Sequence, residues 1–207
     1  MTNAVKNAVI LASGSPRRKT LLERAGIPFE VMATGADEAT DERDPAAYVL
    51  AISARKADEA VRRCLAEGRR DAAIIAADTI VFHGGEILGK PIDRPRAFAM
   101  LKKLQDSWHE VYTGITAAFI AGEEVRTVSD YCVTKVLFKP MSDDMISRYI
   151  DAHKPFDKAG AYGIQEQGGE IVERIEGDYE NVVGLPIGKV MELLAAGGAD
   201  AGGAVNR

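Results

Sequence analysis

Apolar and polar positions along the chain follow two periods, and the changes of period mark where strands give way to helices. Ala8 to Ala12 is a short apolar run that reads as a buried strand. It leads into SPRRKTLLERAG, where Ser15 stands as an N-cap and Pro16 as the first helical residue. Leu21, Leu22 and Ala25 line one face of that helix, and Gly26 stops it. Phe29 to Ala33 reads as a second short strand and TGADEATDERDP as polar loop. Pro45 opens a helix to about Glu67, with Tyr48, Val49, Ile52, Ala60, Val61 and Cys64 apolar at near-helical spacing.

AAIIAADTIVFHGGEIL predicts a long apolar strand, a Gly84-Gly85 turn and a returning strand. Pro95 to Leu104 reads as a helix. Trp108 to Phe119 and Val125 to Phe138 alternate on either side of Gly122, which predicts a second, longer hairpin. Ser142 caps a helix to about Ala152, Glu170 to Ile175 reads as a late strand, and Pro186 to Ala195 as a closing helix. The tail GGADAGGAVNR reads as frayed.

There is no internal repeat, Pro-rich linker or change of composition, so one domain is expected over residues 1–207, with its core at about 8–195. Strand-helix alternation interrupted by two hairpins predicts an α/β domain with a mixed sheet.

Composition narrows the function classes. Hydrophobic residues make up 46% of the 207, enough for a substantial core, and the formal net charge is -5. That balance argues against a duplex nucleic-acid binder. It leaves room for a small anionic ligand, because a pocket can be basic on an acidic protein. Cys64 and Cys132 stand apart with no CxxC, so free thiols are expected and a zinc site is not. No stretch approaches the roughly 20 apolar residues of a membrane span, and the N-terminal run is too short for a signal peptide. A cytoplasmic protein is the expectation.

Four stretches carry chemistry. In LASGSPRR the helix start presents outward N–H groups, which attract anions. Ser13 and Ser15 add hydroxyls, and Arg17 and Arg18 add forked guanidinium donors suited to phosphate oxygens. The plain alternative is two solvated arginines on a first turn. In AADTI, Asp78 follows an apolar run at what reads as a strand end, where a carboxylate needs a metal, a cation or hydrogen bonds. A turn cap is the alternative. Lys56, Lys90 and Lys158 lie beside apolar or Gly/Pro segments, the last two in surroundings that read as tight and poorly polar. In GDYENVVGLP, Asp178 and Glu180 could ligate a metal, but a helix cap is the favoured reading. The histidines at 83, 109 and 153 pair with no nucleophile motif, which argues against covalent hydrolysis. Neither the P-loop nor the GxGxxG fingerprint is present.

LASGSPRR, TGADE, SARKA, AADTIV, LGKP, VYTGI, DKAGAYGIQ and GDYENVVGLP, in this order, resemble the Maf family of nucleotide pyrophosphatases. The resemblance runs from Leu11 to about Leu194. It implies a highly twisted mixed sheet of the Maf/inosine-triphosphatase type, and hydrolysis of a nucleoside triphosphate to monophosphate and pyrophosphate. A divalent metal, Mg²⁺ or Mn²⁺, and a homodimer are implied with it.

Carried over by the resemblance, Ser13 and Arg17 face the phosphates, with Arg18 and Lys158 added as substrate-binding candidates. Glu38 and Asp78 form the acidic pair that serves metal and water activation, and Lys56 and Lys90 stabilise phosphate charge. Arg17, Thr79 and Gln165 match positions tied to substrate choice in the branch acting on dTTP and UTP. The sister branch, acting on 7-methyl-GTP, differs at the positions of Thr79 and Gln165. The resemblance also keeps open a non-enzymatic reading, a septum-formation inhibitor that acts by binding. Two residues depart from the family pattern: Thr20, where an acidic residue is common, and Glu166, where glycine usually follows GIQ.

Overall fold

A computed structural model of the chain describes residues 9–165 and 168–197. The core is a seven-stranded mixed sheet. Its strands are β1 (Val9–Leu11), β2 (Phe29–Val31), β3 (Asp71–His83), β4 (Glu86–Leu88), β5 (Trp108–Ala121), β6 (Glu124–Phe138) and β7 (Val172–Glu176). The order is β2-β1-β3-β5-β6-β7, with β4 on β3. β1 runs parallel to β2 and β3, while β3, β5, β6 and β7 pair antiparallel. Both hairpins expected from the glycine turns are present, and the mixed α/β class is as the pattern implied.

The helices are α1 (Pro16–Arg24), α2 (Pro45–Ala66), α3 (Arg94–Leu104), α4 (Asp143–His153), α5 (Gly168–Ile171), α6 (Tyr179–Val183) and α7 (Ile187–Ala196). Local chemistry starts most of them. The carboxylates of Asp44 and Asp93 and the hydroxyl of Ser142 accept from backbone N–H groups three residues on. α2 covers one sheet face, burying Ala57, Ala60 and Val61 against Ile10, Ile74 and Ile120. α1 and α7 cover one end of the other face, and α3 and α4 the other end. Cys64 and Cys132 are free thiols, and the tail beyond residue 197 and Glu166 lie outside the described residues. No described helix is long and apolar enough to cross a membrane.

The structure corrects one reading that matters for function. Asp78 does not end its strand; it lies in the middle of β3, opposite Gly114 of β5. What ends there is the neighbour on the other side. β1 pairs β3 only from Ala73 to Ile75, and β4 takes up the same edge only from Val81. Between them β3 has no strand partner on that side among the described residues, which leaves a notch in the sheet. Asp78 sits in the notch.

Candidate active site

The notch opens into a cleft of about 370 Å³. It is lined by the β1–α1 turn, β3 and the Lys158–Gln165 segment, with Gly184 behind α6. All ten residues singled out from the sequence line it: Ser13, Arg17, Arg18, Glu38, Lys56, Asp78, Thr79, Lys90, Lys158 and Gln165. Five are cationic. Among the described residues Glu38 and Asp78 oppose them together with Asp157, which leaves two cations in excess there on a chain whose net charge is -5.

Successive strand residues point to opposite faces, so Asp78 and Thr79 serve two halves of the cleft. On the α2 side, Lys56 is buried and its Nζ donates to Asp78 Oδ1 at 2.7 Å. The same ammonium lies 2.7 Å from Glu38 Oε1, so one lysine joins two carboxylates. Desolvation pushes the Glu38 carboxyl up. The hydrogen bond and charge of Lys56 outweigh it, helped by Lys90 and Arg18, and hold it below its usual range. Asp78 Oδ2 carries no hydrogen bond among the described residues.

On the other face Arg18 is anchored three ways. Its Nε donates to Gly184 O at 2.8 Å, Nη1 to Ser13 Oγ at 3.2 Å and Nη2 to Thr79 Oγ1 at 3.1 Å. Counting hydrogens settles what two hydroxyls can still offer. Ser13 Oγ accepts from Arg18 and from the Ser15 N–H, so its own proton remains to be donated. Thr113 must give its proton to the Asn181 carbonyl at 3.1 Å, so in its 2.9 Å contact with Thr79 it accepts. Thr79 therefore directs its proton to Thr113, or to the Gly184 carbonyl 3.5 Å away, and presents only a lone pair to the cleft.

Arg17 and Lys158 both point at Asp157. Arg17 Nη1 donates to Oδ2 at 2.8 Å and Lys158 Nζ to Oδ1 at 2.8 Å. Lys158 is buried, in the tight setting expected of it. Lys90 is not: it stands exposed at the cleft mouth, because the strand before it ends at Leu88 and Gly89 carries the chain outward. Gln165 is also exposed, at the rim.

The segment bearing Lys158 and Gln165 is shaped by Gly160, whose φ is +65°. A Cβ there would meet Val81 Cγ2 at 2.7 Å. Tyr162 fixes the far end through a 2.9 Å hydrogen bond to His109 Nε2. Thr20 turns away from the cleft and donates to the Pro16 carbonyl.

Two residues escaped the sequence reading. Asp157 adjoins Lys158 and looks like one more solvated charge. Asn181, inside the motif whose Asp178 was read correctly as a cap, is buried and donates to Val111 O and Thr134 Oγ1. It supports the carbonyl that orients Thr113 and so Thr79. Only its burial gives it away.

A family model described as Maf-like protein matches residues 8–197. A dTTP/UTP pyrophosphatase of Caldanaerobacter subterraneus subsp. tengcongensis is 48% identical over 186 residues, covering 90% of this chain and 87% of its own. One from Thermosipho africanus is 48% identical, covering 90% and 91% respectively. One from Acetivibrio thermocellus is 46% identical over 189 residues, covering 90% and 93%.

Proposed function

This chain belongs to the Maf family, and we propose that it hydrolyses dTTP and UTP to the nucleoside monophosphate and pyrophosphate. The observation that carries the reading is the convergence of cations and two carboxylates on the notch, on a protein of acidic balance. A triphosphate carries several negative charges, and a nucleophile cannot approach the α-phosphorus until they are screened. Ser13 O–H, the N-terminus of α1, Arg17, Lys56, Lys90 and Lys158 supply that screening, and Arg18 adds a fixed charge beneath them. With Oδ1 held by Lys56, Asp78 takes the proton of the attacking water at Oδ2. Pyrophosphate leaves against the remaining cations, and no covalent intermediate is needed.

Glu38 and Asp78 also fit a divalent cation, Mg²⁺ or Mn²⁺. They are hard oxygen donors converging on one positive group, and no third acidic or histidine ligand joins them among the described residues. They would supply part of a coordination sphere and leave the rest to phosphate and water. Such an ion supplies charge neutralisation and Lewis-acid polarisation of a phosphoryl oxygen.

Base choice falls to Thr79 and Gln165. The Gln165 amide offers a donor and an acceptor at the rim, and Thr79 an acceptor alone, which suits an imide N–H. A wrong base leaves these groups unpaired and is rejected on that account. A cytoplasmic homodimer completes the proposal, supported by the partly exposed Val125 and Tyr131 on the long hairpin.

The test is a panel of ordinary and modified triphosphates assayed for pyrophosphate release with Mg²⁺ or Mn²⁺. Turnover of dTTP and UTP above the purines is expected. Turnover of 7-methyl-GTP without dTTP or UTP would overturn the assignment.

A further inference from the structure

The cleft already holds an anion of its own. Asp157 bridges Arg17, from the second position of α1, and Lys158, from the start of the 3₁₀ turn Ala159–Ala161, with one carboxylate oxygen to each. The cleft's other two carboxylates share Lys56 instead. A carboxylate and a phosphate oxygen compete for the same guanidinium fork and ammonium. Exposure shows which partner is able to leave. The Lys158 side chain is 7% exposed and that of Arg17 23%, whereas that of Asp157 is 60% exposed. The cations are set into the protein; the anion stands on the water side.

We propose that Asp157 is a stand-in for a substrate phosphate, occupying the Arg17–Lys158 subsite until a polyphosphate displaces it. This rests on the triphosphate reading above and adds a regulating residue to it. While the latch is closed, the two cations neither repel one another nor collect stray anions. As pyrophosphate departs, the returning carboxylate replaces it and hastens release. Asp157 is thus a tuning residue for phosphate affinity with no part in bond breaking. Its carboxyl stays charged at any working pH: burial raises it, but Lys158 and Arg17 together bring it down to about 2.

A purely structural clamp would have the opposite signature, since loss of the clamp would misalign both cations and weaken binding. Asp157→Asn and Asp157→Ala separate the two. Binding of inorganic tripolyphosphate and pyrophosphate is measured by calorimetry, with melting curves for each variant. The latch predicts that Kd for both anions falls about three- to tenfold, the scale of two solvent-facing ion pairs, each open to water on the Asp157 side, released from competition. The gain shrinks in an Arg17→Gln background, where one of the two cations is gone. KM for dTTP falls with it, while kcat holds or drops as pyrophosphate release slows.

Unchanged or weaker binding in both variants overturns the latch, as does failure of either variant to fold, which a clamp alone predicts. In those cases tight binding of tripolyphosphate by the wild-type protein leaves the triphosphate reading standing. Wild-type protein that does not bind tripolyphosphate overturns both.

Discussion

Gly114 provides a test of how the fold sets the site, because it touches none of the cleft. It lies on β5 opposite Asp78, and α2 crosses directly above it. A Cβ at this position would lie 2.5 Å from both the carbonyl carbon and the oxygen of Val49, and 2.9 Å from the nitrogen of Leu50. These are backbone atoms, so no rotamer change relieves the clash. Favourable carbon contacts begin at about 3.5 Å, so Gly114→Ala forces α2 back by roughly 1 Å.

Val49 and Lys56 share the buried face of α2, two turns apart. A retreating helix therefore draws Lys56 Nζ off Asp78 and Glu38, both now at 2.7 Å, and strains the 2.9 Å Ser53–Thr116 hydrogen bond. Overpacking of this kind costs about 1–3 kcal/mol. For a chain of this length that lowers Tm by about 2–12 °C. A misplacement of about 1 Å in a charge-stabilising group costs up to about a hundredfold in turnover. Thermal melts and steady-state pyrophosphate release from dTTP measure both effects. A variant that melts early but keeps wild-type kcat would refute the coupling through α2 to Lys56, and one that melts as wild type does would refute the packing argument itself.

Asp78→Asn keeps the shape of the side chain but removes the proposed base, so kcat for pyrophosphate release should fall at least about a hundredfold. Gln165→Ala should spare the triphosphate grip and level the preference for dTTP over a purine triphosphate; equal loss on every base would refute that division of labour. His109 yields a pH test. Burial, aided by His83, drives its imidazole from 6.5 down to about 3, so between those values only the unfolded chain takes up the proton. Stability must therefore fall with pH across that window, by about 2 kcal/mol from pH 7 to pH 5 for this one group. Urea unfolding of His109→Phe should show a correspondingly flatter profile, and an unchanged slope would count against it.

Elements whose causes lie within a few residues were legible in the chain. Pro16 marks a helix start through its φ angle, Ser142 and Asp178 through their own side-chain caps, and Gly84-Gly85 and Gly122 mark hairpins because left-handed turns need glycine. The residues that line the cleft were legible too, through the motifs of the family resemblance. The reading failed where the cause was distant. Asp78 read as a strand end because polarity interrupts an apolar run, but β5 pairs with β3 well past it. Lys90 read as enclosed from its Gly and Pro neighbours, yet exposure depends on what packs over them. Asp157 went unnoticed because its partner Arg17 comes from the other end of the chain.

By itself, then, the sequence determined most of the inventory: the main strands and helices, several of their caps, and which charged side chains are available, though Glu170 and Ile171, read as strand, belong to α5. Periodicity and capping act over a turn or two and need no partner. Only the tertiary structure decided that β1 stops opposite Ile75 and that β4 reaches back along β3 no further than Val81, opening the notch between them. It alone decided which carboxylates share Lys56, which carboxylate faces Arg17, and which way the Thr79 proton points. Those are contacts between residues tens of positions apart, and burial and hydrogen-bond pairing select them only once the whole core has closed.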